Sequence, residues 1–321
     1  MTTPTRSRPA ARDPFARRPR PTPTTPIAAA TRARRVAVAG VAAATALVGG
    51  LLGACSHAPG QPAAAVAPAG EVKGRALVHD AASRTGALAR AQVALPATAT
   101  GGDPFFGRWR DLPTSTRQRV PVVVFLHGSS GLGLKAIEDW QRWLATQGVA
   151  SVAPDSFALP DRLTYKSPVG KDVYERIHAL RASEIDIAAE ALRSAPWADP
   201  ARLLLAGTSE GAVAVARHPG TGFAGRMIYS WSCEDNYFVT AHRTTIPPAQ
   251  PVLNVMSATD VYFSPSNPWL GQAGARGHCG AALAAHKSAT IVLIPGAPHT
   301  LLNLPAARHA TAGFLQDLLK R

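Results

Sequence analysis

Gly207-Thr208-Ser209-Glu210-Gly211 stands directly after the apolar run Leu203-Leu204-Leu205-Ala206 and directly before the helix-prone Ala212-Val213-Ala214-Val215-Ala216. A buried strand, a tight turn of small residues and a helix follow one another with no residue to spare, and few folds accommodate that succession with serine at its apex. Glycine on either side lets the backbone turn sharply enough to lift a hydroxyl out of a sheet, with the next backbone N–H aimed at the same point. The five-residue pattern alone arises by chance in a chain with 27 glycines. Its strand and helix flanks give it weight, and they predict a nucleophile at Ser209.

A serine of this kind needs a base and an acid, in the chain order serine, acid, histidine. Pro251-Val252-Leu253-Asn254-Val255-Met256 has the pattern of a buried strand, and Asp260 lies in the loop beyond it. Ala289-Thr290-Ile291-Val292-Leu293-Ile294 is the next strand, and Pro295-Gly296-Ala297-Pro298-His299 puts His299 on a turn-rich loop at its end. A lone loop aspartate is usually a cap and a lone loop histidine usually solvated. Three such residues in order, each at the same end of successive strands, form a triad of Ser209, His299 and Asp260. Glu234 and Asp235 also follow a strand and are the rival acids.

Upstream, Val122-Val123-Val124-Phe125-Leu126 is strongly β-forming and ends in His127-Gly128-Ser129-Ser130-Gly131. The loop after such a strand supplies one N–H to an oxyanion site and the residue after the nucleophile the other. Here these are the backbone N–H groups of Ser129 and Glu210. A phosphate loop would need lysine then serine or threonine after Gly133, where Leu134-Lys135-Ala136 stands instead.

From about Val120 onward the chain resembles the dienelactone hydrolase-like branch of the α/β-hydrolases. The resemblance rests on Phe125-Leu126-His127-Gly128-Ser129-Ser130-Gly131, Val152-Ala153-Pro154-Asp155-Ser156-Phe157, the serine turn, Ser257-Ala258-Thr259-Asp260 and Gly296-Ala297-Pro298-His299. It implies an α/β-hydrolase fold, a mostly parallel doubly wound sheet flanked by helices. It also implies hydrolysis of carboxylic esters through an acyl-enzyme, with no cofactor. The cytoplasmic enzymes that name the branch use cysteine where this chain has Ser209.

Residues 1–54 are a different kind of sequence. The first 35 carry nine arginines, one aspartate and many prolines and threonines, a composition that builds no core. Val36 to Ala54 is uncharged and ends in Leu52-Gly53-Ala54-Cys55. A basic segment, an apolar stretch and small residues make a secretory signal. Leu-Gly-Ala-Cys resembles a bacterial lipobox, which implies cleavage before Cys55, a diacylglyceryl group on its sulfur, and an exported cell-envelope lipoprotein facing the periplasm or in the outer membrane. An uncleaved signal anchor is the alternative, and Arg34-Arg35 leaves a twin-arginine signal open. Residues 55–70 form an Ala/Pro-rich tether, and 71–321 a single domain in which β-rich runs alternate with helical stretches. The strand series is expected to begin at Ala89–Leu95, with helices at Lys135–Thr146, Asp172–Ser194 and Ala306–Lys320.

Of the formal net charge of +14, the leader contributes +8 (nine arginines less one aspartate), leaving +6 for the rest. No basic run interleaved with aromatics accompanies it, so no nucleic-acid partner is expected. Metal-ligand spacings are likewise lacking. Cys233 and Cys279 read as two free thiols in a cytosolic protein, but an exported chain enters an oxidising compartment, so one disulfide between them is expected; the resemblance adds that exported relatives in this branch pair cysteines at similar places. Trp231, Tyr237, Phe238, Tyr262, Phe263 and Trp269 cluster after the later strands as candidate walls for an acyl or aromatic pocket. The expected function is hydrolysis of a small or polymeric ester. The same triad could instead serve an acyltransferase, polyesterase or peptidase, and a catalytically silent envelope lipoprotein belongs to another class.

Overall fold

The computed structural model describes residues 70–268, 270 and 274–320. The leader, Cys55, nearly all of the tether and Trp269 lie outside them. All described residues belong to one compact unit. Its elements, in chain order, are β1 (Glu71–Lys73), α1 (Ala81–Ala89), β2 (Gln92–Leu95), α2 (Ala97–Thr100), β3 (Phe105–Arg108), β4 (Val120–Leu126), α3 (Lys135–Thr146), β5 (Ala150–Ala153) and β6 (Thr164–Lys166). There follow α4 (Lys171–Ser194), β7 (Ala198–Thr208), α5 (Glu210–Arg217), β8 (Gly225–Tyr229), β9 (Val252–Ser257), β10 (Ala289–Ile294) and α6 (Pro305–Leu319).

Eight strands form one sheet in the order β10-β9-β8-β7-β4-β5-β2-β3. Pairing from β5 through β4 to β10 is parallel throughout, and β2 runs antiparallel to both β3 and β5. The short strands β1 and β6 pair separately, antiparallel, with Val72 opposite Tyr165.

The sheet is buried on both faces, and the period of two in its central strands shows how. Val122, Val124 and Leu126 of β4, with Leu203 and Leu205 of β7, join one core with α4 and α5. Val123, Phe125, Leu204 and Ala206 join the other, with Ile137, Trp140 and Leu144 of α3 and Leu315 of α6. In α3 the buried set Ile137, Trp140, Gln141 and Leu144 repeats at helical spacing.

The chain leaves β4 for β5 on one side, then returns past β4 to β7 and proceeds to β10 on the other. Loops leaving the carboxyl ends of β4 and β7 therefore diverge, and a crevice at such a reversal is where open α/β sheets bind ligands. His127–Gly131 and Ser209 occupy those two ends.

The first strand of the large sheet begins at Gln92 and not at Ala89, because α1 occupies Ala81–Ala89. Asp80 caps that helix by accepting the Ser83 N–H at 2.7 Å.

Candidate active site

Ser209 has a positive φ of 54° with ψ −121°, a backbone conformation rare for a residue with a side chain, between β7 and α5. A non-glycine residue held there stores strain that its surroundings must over-determine. They do so through close packing of backbone on backbone. A Cβ on Gly207 would stand 2.7 Å from the Gly211 carbonyl oxygen, and one on Gly211 would stand 2.4 Å from that of Leu126. Only hydrogen fits at either position, so the glycines on both sides of the serine are a steric requirement of the turn. The Ser209 N–H donates to the Tyr229 carbonyl at 3.0 Å, which pins the apex to β8.

Asp260 is fully buried beyond β9. One oxygen lies 2.7 Å from His299 Nδ1. The other accepts the backbone N–H groups of Tyr262 at 2.9 Å and Phe263 at 3.0 Å. Because a carboxylate only accepts, Nδ1 carries the proton and Nε2 is left bare as the basic nitrogen. The histidine loop is itself held: Ser230 Oγ donates to the His299 carbonyl, and Ser257 Oγ to that of Ala297, each at 2.6 Å. The rival acids are engaged elsewhere. Glu234 accepts the N–H groups of Arg276 and Gly277, and Asp235 that of His242.

Ser209 and His299 line one cavity of about 320 Å³ together with Gly128 and Ser129. Gly128 faces the serine, for a Cβ built on it would stand 3.3 Å from Ser209 Cβ. Tyr237, Phe238, Tyr262 and Phe263 form an aromatic wall, with the Tyr262 ring edge-on to His299 at 4.7 Å between centroids. Leu134, Ile137 and Leu302 also line it. Trp231 is fully buried and packs T-shaped against Phe263 at 4.9 Å. Tyr165, Lys166 and Ser167, in and after β6, line the cavity as well and were not anticipated from the sequence.

Beneath the serine turn lies a charged cluster that the sequence did not announce. The Glu210 carboxylate is buried 2.8 Å from Arg162 Nη2 and 3.6 Å from Arg181 Nε, with the Tyr165 hydroxyl beside it. Burial pushes this carboxyl up, but Arg162 and Arg181 more than offset it, and the net shift is downward. Arg181 Nη1 also meets Glu184 at 3.0 Å. His127 Nε2 accepts from Arg181 Nη1 at 3.2 Å and from the Ser156 N–H at 3.3 Å, so its Nδ1 donates to the Gly128 carbonyl at 2.6 Å. Burial and then the Arg181 charge hold this imidazole well below its ordinary pKa, hence neutral.

Cys233 and Cys279 are bonded to each other, with Cα atoms 4.6 Å apart. The bond ties the loop after β8 to the segment following Asp260. Among the described residues no cluster of histidine, cysteine and acidic side chains could hold a metal ion, and no helix is long and apolar enough to cross a membrane.

The sheet order, the strained serine between β7 and α5 and the acid and histidine after β9 and β10 define an α/β-hydrolase fold. No family model and no curated protein matches the chain. Solved structures of similar fold include Est1E from Butyrivibrio proteoclasticus, at 16% identity and a TM-score of 0.44 over 66% of this chain and 93% of that one. A protein from Klebsiella pneumoniae assigned as a dienelactone hydrolase matches at 18% identity and a TM-score of 0.47, over 72% and 99%. An α/β serine hydrolase without a lid from Xanthomonas campestris matches at 17% and 0.44, over 71% and 88%. These are distant likenesses of fold.

Proposed function

We propose that the protein is a serine hydrolase of carboxylic esters, of the dienelactone hydrolase-like kind, acting through an acyl-enzyme. The observation that carries this is the buried Asp260–His299 hydrogen bond opening onto the same cavity as a strained Ser209. His299 Nε2 takes the Ser209 proton as the hydroxyl oxygen attacks the acyl carbonyl, and Asp260 stabilises the imidazolium that forms. The N–H groups of Ser129 and Glu210 receive the oxyanion. The imidazolium returns its proton to the leaving alcohol. Water, deprotonated by His299, then attacks the acyl-serine; the bond to Ser209 Oγ breaks, the imidazolium returns its proton to that oxygen, and the acid leaves.

The chemistry draws on no cofactor. The cavity volume suits a compact ester. Two measurements test the proposal: labelling of the protein by a fluorophosphonate, and turnover of a chain-length series of p-nitrophenyl esters. Labelling and turnover that both vanish in Ser209→Ala support it; a variant that keeps most of its turnover refutes the assignment.

Export as a lipoprotein anchored through Cys55 is the second part of the proposal. The Cys233–Cys279 disulfide supports it, since such bonds persist in oxidising compartments. Metabolic labelling with a palmitate analogue in a bacterial host is expected to mark the wild type and not Cys55→Ala. Equal labelling of the two removes the lipid anchor.

A further inference from the structure

Arg162, Arg181, Glu184 and Glu210 are all buried, two positive and two negative. Taking four charges out of water carries a desolvation cost before any pairing, and well-packed apolar residues commonly serve stability as well or better. The cluster's connections suggest another use for it.

Arg181 bridges two backbone segments. Its Nη2 donates to the His127 carbonyl at 2.9 Å, and its Nε faces the Glu210 carboxylate. Its Nη1 fixes the His127 ring, whose Nδ1–H in turn holds the Gly128 carbonyl. That carbonyl belongs to the same planar peptide unit as the Ser129 N–H, so fixing its oxygen fixes the direction in which the N–H points. Arg162 secures the far side. It joins Glu210 to Ser156 Oγ at 2.7 Å, while the Ser156 N–H donates to His127 Nε2.

We propose that Arg181, backed by Arg162, is a positioning residue for the oxyanion site, setting the separation and direction of the Ser129 and Glu210 N–H groups. The guanidinium suits this task because its planar fork engages a carbonyl, an imidazole and carboxylates at once, which a lysine ammonium cannot reproduce. The inference rests on the assignment of those two N–H groups made above.

The test compares wild type, Ser209→Ala, Arg181→Met, Arg181→Lys and Glu210→Gln in the full chain, with folding checked by near-UV circular dichroism. A misplaced oxyanion donor acts only in the transition state, so kcat and kcat/KM for p-nitrophenyl acetate should fall together, by about 10- to 100-fold, with KM little changed. Affinity for a trifluoromethyl ketone, which forms a tetrahedral adduct, should fall by a similar factor. Arg181→Lys is expected to fold and still show the loss. Should Arg181→Met fail to fold, Arg181→Lys and the isosteric Glu210→Gln carry the comparison. Folded variants with wild-type kcat and ketone affinity, or with only KM raised, overturn the positioning role while Ser209→Ala remains inactive. Activity surviving in Ser209→Ala overturns the nucleophile assignment, and the positioning role with it.

Discussion

Asp260 and His299 are 39 residues apart in sequence and 2.7 Å apart at Oδ2 and Nδ1, and the carboxylate that joins them is closed to solvent. Its other oxygen is already committed to two backbone N–H groups, so the side chain cannot rotate to serve another partner. Asp260→Asn would offer His299 an amide that favours the wrong tautomer. The expected loss in kcat is on the order of 10⁴, as for triad acids elsewhere. Asp235→Asn serves as the control, because Asp235 is turned to the His242 backbone. Steady-state kinetics on both variants decide between the carboxylates.

Gly211→Ala is expected to destabilise the domain sharply. The added methyl would meet the Leu126 and His127 carbonyl oxygens at 2.4 and 2.6 Å, and both are backbone atoms at the end of β4 with no flexible side chain to give way. Overpacking of this kind costs about 1–3 kcal/mol, or roughly 2–4 °C of Tm for each kcal/mol in a domain of this size. Gly133→Ala, with no neighbour within 4 Å, should leave Tm unchanged. Thermal melts of the two variants give the comparison.

Reducing the Cys233–Cys279 bond frees a loop spanning 46 residues. The chain-entropy relation gives about 4 kcal/mol for that length, so Tm should fall by roughly 8 °C or more. Activity at low temperature should suffer less. Buried Asn254 independently joins the two segments, donating to the Trp231 carbonyl and accepting the Cys279 N–H. Melting and turnover measured with and without reductant separate the two effects.

Acid should destabilise the fold through His178. Burial holds its pKa down to about 4 from an ordinary 6.5. The unfolded chain therefore binds a proton that the native state refuses, and the histidine's contribution is complete above about pH 6.5. It is lost progressively as pH falls from there toward 4, by up to about 3 kcal/mol. Chemical denaturation across this range should show a steep decline for the wild type and a shallower one for His178→Gln.

Strand β10 and helix α3 span Ala289–Ile294 and Lys135–Thr146, the residues their patterns predict. Both have clean periodicity and clear breakers, and the gathering of Ser209, Asp260 and His299 at one end of the sheet was legible because each sits next to such an element. Strand β6 was not, since Thr164–Lys166 is too short to show a period and pairs with β1 from 91 residues upstream. The charged cluster was hidden for a related reason: Glu210 and Arg162 are 48 residues apart, and isolated charges normally mark surface. One signal was present. Arg181 lies four residues after Ile177 and four before Ile185, on the apolar stripe of α4, where a cation must find a buried partner.

Strand β1 opens the described chain, and among the described residues it pairs only with β6, the strand that presents Tyr165 and Lys166 to the cavity. Gly70 is pressed against the carbonyl oxygens of Lys166 and Pro168 at the end of that pairing. Tension applied upstream of residue 70 is therefore delivered to the wall of the cavity before it reaches the central sheet. The point where the chain enters the domain and one wall of the cavity are, in this protein, a single mechanical unit.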